Sequence, residues 1–147
     1  MDAEHYGYKR LESPVLHRRQ IYFCKKDRYW IIKDMLTGEG VHAFDLYFHL
    51  APVVTKKADG GSLIVDIDIK GGKNLKIIPL IKDDMKLAIE DGWLSYSYGE
   101  KIKSKVLKYS KKSALPAEFL FVFALGNYPC SIEEIDKIIG NTCQVKR

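Results

Sequence analysis

His17, Asp34 and His49 are spaced so that three successive strands could bring them together. Imidazole and carboxylate form a borderline-hard ligand set, and two histidines, one aspartate and a water suit Zn²⁺. His42 and His5 compete as ligands. Strand-borne histidines also serve as ordinary hydrogen-bonded side chains, so spacing alone leaves both readings open. The second feature is cationic. Six lysines fall within residues 101–112, and Lys101, Lys103 and Lys105 alternate so that they share one face of a strand. Such a row can track a polyanion, or it can protect a solvent-facing edge from pairing with another chain. The third feature is aromatic. Trp30 sits in an apolar run and reads as core, whereas Trp93 follows Asp91-Gly92 and could line a surface that stacks on sugar. The sequence holds no nucleophile elbow, P-loop, dinucleotide fingerprint or H-E-x-x-H motif.

These residues need strands to position them, and the pattern supplies strands almost throughout. Residues 16–25 and 29–34 are rich in β-branched and aromatic types around a polar turn and read as a hairpin. The stretch Thr37-Gly38-Glu39-Gly40 is the next turn, and 42–50 a third strand. Residues 62–70 alternate strictly from Val65, which marks a half-buried strand. Residues 75–81 form another, with Pro79 placing it at an edge or a bulge. Short strands are expected at 86–90 and 101–105. The apolar run 115–125 belongs at the centre of a sheet. Turn signals every eight to twelve residues give an all-β fold, an antiparallel two-sheet β-sandwich. One short C-terminal helix is expected at 132–139, from the capping box Ser131 to Glu134, an isoleucine face and Gly140. Residues 1–14 are expected to begin irregularly.

Composition bounds the rest. The 147 residues, with 24 Lys+Arg against 19 Asp+Glu, suit one domain spanning 1–147 with a real core, and 46% hydrophobic content argues against disorder. The longest apolar run, Phe119 to Leu125, has seven residues, far short of the ~20 that a helical membrane span needs. Acidic residues stand where a signal peptide would be basic, so no secretion signal is expected, which leaves the compartment open. Cys24, Cys130 and Cys143 exclude a cysteine zinc cluster and leave one bridge, Cys130 to Cys143, as an alternative to three thiols. No basic helix or RNA-binding aromatic pattern appears, and Asp66 and Asp68 interrupt any basic field, so nucleic acid is disfavoured.

Five blocks then carry a resemblance. They are His5-Tyr6-Gly7-Tyr8-Lys9-Arg10-Leu11 with Pro14 to Ile21; Lys26 to Asp34; Gly40-Val41-His42 leading to Leu46 to Leu50; Gly92-Trp93-Leu94-Ser95-Tyr96-Ser97-Tyr98-Gly99; and Ala114 to Phe119. In this order, over roughly residues 5–125, they resemble the C-terminal β-domain of the heparinase II/III-like polysaccharide lyases. The resemblance implies a parent protein with an N-terminal α/α toroid that is absent here, and an acidic polysaccharide as partner. It implies a structural zinc on His17, Asp34 and His49. It also implies β-elimination at a uronate: the carboxylate is neutralised, a base takes the C5 proton and an acid protonates the departing O4. Much of that machinery would come from the toroid, so this chain alone is expected to be inactive. To the cleft it could contribute Tyr98, Tyr96, His42 or Arg19. The catalytic candidates are Tyr98 and His42. The substrate-binding candidates are Arg19, Trp93, Lys101, Lys103 and Lys105. Val15 stands where some members carry a further histidine, a departure from the pattern. The alternative is a non-catalytic carbohydrate-binding sandwich that meets polyanions through the three lysines.

Overall fold

The computed structural model describes residues 1–25, 28–52, 54–57, 62–69 and 73–126. The expected helix at 132–139, Cys130 and Cys143 lie outside these residues. Among the described residues, ten strands form two antiparallel sheets: β1 (Asp2–His5), β2 (Val15–Cys24), β3 (Tyr29–Gly38), β4 (Val41–His49), β5 (Val54–Lys57), β6 (Val65–Ile69), β7 (Lys73–Pro79), β8 (Lys86–Leu94), β9 (Ile102–Ala114) and β10 (Ala117–Leu125). The large sheet runs β1-β2-β3-β10-β7-β6-β5 and the small one β4-β9-β8. The β-sandwich expected from the alternation pattern is therefore the fold. The apolar strand β10 takes the middle of the large sheet, since a strand with both neighbours and both faces covered tolerates few polar side chains.

The layers meet through aromatic rings. Phe48 of β4 packs edge-on against Phe121 (5.0 Å between centroids) and Phe123 (5.2 Å) of β10, and Phe44 against Phe119 (5.7 Å). Tyr109 is buried against Phe121, and its hydroxyl donates to the Leu63 carbonyl at 2.9 Å. Burial pushes that phenol well above its ordinary pKa. A second apolar cluster, with Ile31 and Val122 at its centre, occupies the opposite face of the large sheet.

Several expectations change, among them the short strands at 86–90 and 101–105, which extend to Leu94 and Ala114. The third strand does not extend the first hairpin. Both edges of β3 are taken, by β2 and β10, so β4 crosses to the other sheet through Gly38-Glu39-Gly40. The crossing uses backbone at φ +153° (Gly38) and +85° (Gly40), and a Cβ on Gly38 would come within 2.5 Å of the Pro14 carbonyl oxygen. Pro79 ends an interior strand rather than an edge strand. Leu80 N–H donates to Leu120 O, so the Pro79 nitrogen points away from β10, towards the side where β6 has already stopped pairing. The N-terminus is ordered as strand β1, held on β2 by the backbone ladder and by Arg18 paired to both oxygens of Asp2. Trp30 is half-buried and stacks on Phe23 at 4.6 Å.

Candidate functional site

The large sheet has seven strands and the small one three, so the inner face of β2 and β3 lies partly open beside β4. The result is a cleft of about 370 Å³ whose lining includes Tyr8, His17, Arg19, Asp34, His42 and Tyr47. Strand register explains the floor. Arg19 pairs with Asp34, which pairs with Phe119, so all three project to the same face. His17 lies two residues along β2 on that face.

Asp34 is the buried anchor, with 1% of its surface exposed. Arg19 clamps it with two bonds, Nε to Oδ1 at 2.6 Å and Nη2 to Oδ2 at 2.9 Å. His17 Nε2 lies 2.6 Å from Oδ1. Burial alone would push the Asp34 carboxyl up, but the hydrogen bonds from His17 and Arg19 and the Arg19 charge outweigh it, holding the group below its ordinary range. The hydrogen bond to Asp34 raises Arg19 in turn, against its own desolvation. The Arg19 side chain remains 40% exposed, so a fixed guanidinium faces the cleft. Tyr8, on the short 3-10 helix Gly7–Arg10, leans over the His17 ring at 6.4 Å and packs against His5 at 5.2 Å. His42 Nε2 lies 2.9 Å from the Glu39 carbonyl oxygen and 3.3 Å from Ser13 Oγ. The floor therefore offers a positioned cation, and the walls offer imidazole and phenol groups that can exchange protons.

The candidates separate into two places. His17, Arg19, Asp34 and His42 come together at the cleft, and His5 faces His17 across the β1–β2 ladder. His49 does not join them. Phe44 marks the level of Phe119 and hence of Asp34, and His49 is five residues further on, roughly 16 Å of strand, with the parity that points out of the sandwich. The zinc expectation meets the same geometry. Both Asp34 oxygens already receive Arg19, and among the described residues no three His, Cys, Asp or Glu side chains converge on one point. The residues present fit an ion-paired cluster better than a three-ligand metal centre. Tyr98, Tyr96, Trp93, Lys101, Lys103 and Lys105 all lie at the far end of the small sheet, on or beside the β8–β9 hairpin. Tyr8 and Tyr47 were not singled out from sequence. Only the 3-10 helix folding back over β2 brings Tyr8 to the cleft.

Comparison with known proteins gives a consistent result. The family model described as heparinase II/III-like, C-terminal, matches residues 1–124. No curated protein matches the chain. Among solved structures, a heparinase III gene product superposes with a TM-score of 0.66 at 19% identity, covering 84% of this chain and 18% of its own. Heparan sulfate lyase HepC from Pedobacter heparinus gives 0.65 at 22% identity, covering 80% and 18%. A structure of heparinase III gives 0.65 at 15% identity, covering 88% and 19%. The chain thus spans under a fifth of the length of these solved proteins.

Proposed function

The chain belongs to the heparinase II/III-like C-terminal family, and from that premise we propose that it forms one wall of the substrate cleft of a longer polysaccharide lyase. The parent cleaves an acidic, uronate-containing polysaccharide by β-elimination, and the wall described here is inactive alone. The observation that carries the reading is the Arg19–Asp34–His17 cluster, a cation anchored on a buried carboxylate and turned to an open cleft.

The chemistry follows from the atoms. Abstraction of the C5 proton leaves negative charge spread into the C6 carboxylate. A guanidinium already locked in place stabilises that charge without reorganising as the reaction proceeds. Asp34 fixes the orientation of Arg19 and leaves its outer edge to the sugar acid. His42 lies on the opposite wall with its ring nitrogen oriented by the Glu39 carbonyl, a position from which an imidazole can move a proton. The base and acid that complete the reaction come from the other part of the parent, which is why this chain should not turn over substrate.

Expression of the full reading frame tests this. The full-length protein should release an unsaturated uronate product, followed by its ultraviolet absorbance, and Arg19→Ala should lower kcat/KM by at least about a hundredfold. The 147-residue chain should give none. Turnover by the short chain, or an Arg19→Ala enzyme of normal activity, would refute the proposal.

A further inference from the structure

The core-facing row of β9 runs Tyr109, Leu107, Lys105, Lys103, and that of β8 runs Leu87, Ile89, Asp91, Trp93. Their apolar halves are core. Beyond them the same face continues in lysine, aspartate and tryptophan. Trp93 is 51% exposed, and the Lys101 ammonium sits 4.2 Å over its ring. Lys103 is the cross-strand partner of Trp93, while Lys105 is paired to Asp91 at 2.5 Å. The connecting loop adds Tyr96, 67% exposed, and Tyr98, fully exposed. It is not featureless: Ser95 Oγ donates to Ser97 O at 2.7 Å, Glu100 N to Ser97 O at 3.2 Å, and Gly99 takes φ +81°. Three large aromatics are therefore held out to solvent beside Lys101, which lies over the Trp93 ring, and Lys103, whose charge also acts on Asp91. The place is distinct from the cleft. Phe44 pairs with Lys111 at cleft level, and Lys103 lies eight residues along β9, roughly 26 Å away.

We propose that this hairpin is a docking platform for the acidic polysaccharide outside the cleft, with Trp93 stacking on a sugar face and Lys101 and Lys103 meeting its anionic groups. The ligand class rests on the reading under Proposed function; the site does not. Aromatic rings offer the apolar C–H faces of sugars a flat partner, and tyrosine hydroxyls add hydrogen bonds at low conformational cost. The loop tip Ser95-Tyr96-Ser97-Tyr98-Gly99-Glu100 has no aliphatic side chain and carries an acid, which suits a hydroxyl-rich polyanion better than a lipid interface.

The test is a residue-resolved NMR titration of the 147-residue chain with a heparan sulfate oligosaccharide. Amides of 93–103 and the Trp93 indole should shift. Trp93→Ala should weaken binding about tenfold, and the pair Lys101→Ala/Lys103→Ala by a similar factor, with Trp93→Phe recovering most of the loss. Arg19→Ala should leave the hairpin shifts in place, and unchanged cleft resonances in Trp93→Ala certify its fold. Shifts confined to residues 17–19, 34 and 42 would overturn the platform and leave the cleft reading intact. So would equal affinity for dextran sulfate with and without Trp93, or a hairpin that responds to anionic vesicles and not to the oligosaccharide. Absence of any shift would also overturn it, while the lyase assay on the full-length protein judges the cleft separately.

Discussion

Asp34→Asn isolates the cluster at the floor of the cleft. The substitution keeps the side-chain shape and removes the charge. An amide can accept through one oxygen only, and its NH₂ then faces a donor, either the Arg19 guanidinium or the His17 ring. Breaking a fully buried ion pair by removing one partner costs about 3–5 kcal/mol. Here the carboxylate is buried but the Arg19 side chain is 40% exposed and can regain water, so the loss should be nearer 2–3 kcal/mol. For a chain of this length about 1 kcal/mol moves Tm by roughly 3 °C, which predicts a fall of about 6–9 °C at pH 7 in thermal unfolding followed by circular dichroism. The pH dependence carries a sign. The folded carboxyl lies below its ordinary value of 3.8, so the stability it adds is complete above that value and is lost as pH falls through the folded pKa. The gap between parent and variant should therefore be widest near neutrality and close in acid. The double variant Arg19→Met/Asp34→Leu should recover most of the loss, since an apolar pair leaves no stranded charge. A Tm change below about 2 °C in Asp34→Asn, or a gap that widens in acid, would refute the electrostatic account.

Other expectations are simpler to check. Phe121→Ala, at the meeting of Phe48 and Tyr109, should cost about 3–5 kcal/mol in denaturant titration, because the small sheet cannot collapse onto the void. Gly92→Ala should destabilise by about 1–3 kcal/mol, since its Cβ would lie 2.5 Å from Val106 Cγ2; Val106→Ala in the same chain should return most of it, a coupling read by a double-mutant cycle. Chelator should leave Tm unchanged, because Arg19 already supplies the positive charge on Asp34; a fall of several degrees, with stoichiometric zinc on elemental analysis that is lost in His17→Ala, would instead make zinc the partner of His17 and Asp34.

Local chemistry is legible in the sequence. Alternation from Val65 to Ile69, the apolar run that became β10 and the turn at Gly38 to Gly40 each depend on neighbours in sequence, which is what propensity and periodicity record. The five blocks, read in order, likewise named the family that the comparison supports. Which distant side chains meet was a different matter. Asp34 could be picked out as a chemical group, but its main partner, Arg19, follows from the β2–β3 register. The separation of His49 from His17 follows from β10 occupying the edge of β3 that a third consecutive strand would have needed. Likewise Lys103 and Trp93 are neighbours only because β8 and β9 pair. Sequence alone determined that this chain would make strands, and which of their faces would be apolar. The tertiary structure decided which strand took each edge, because every strand has two hydrogen-bonding edges and only competition among all ten settles who fills them.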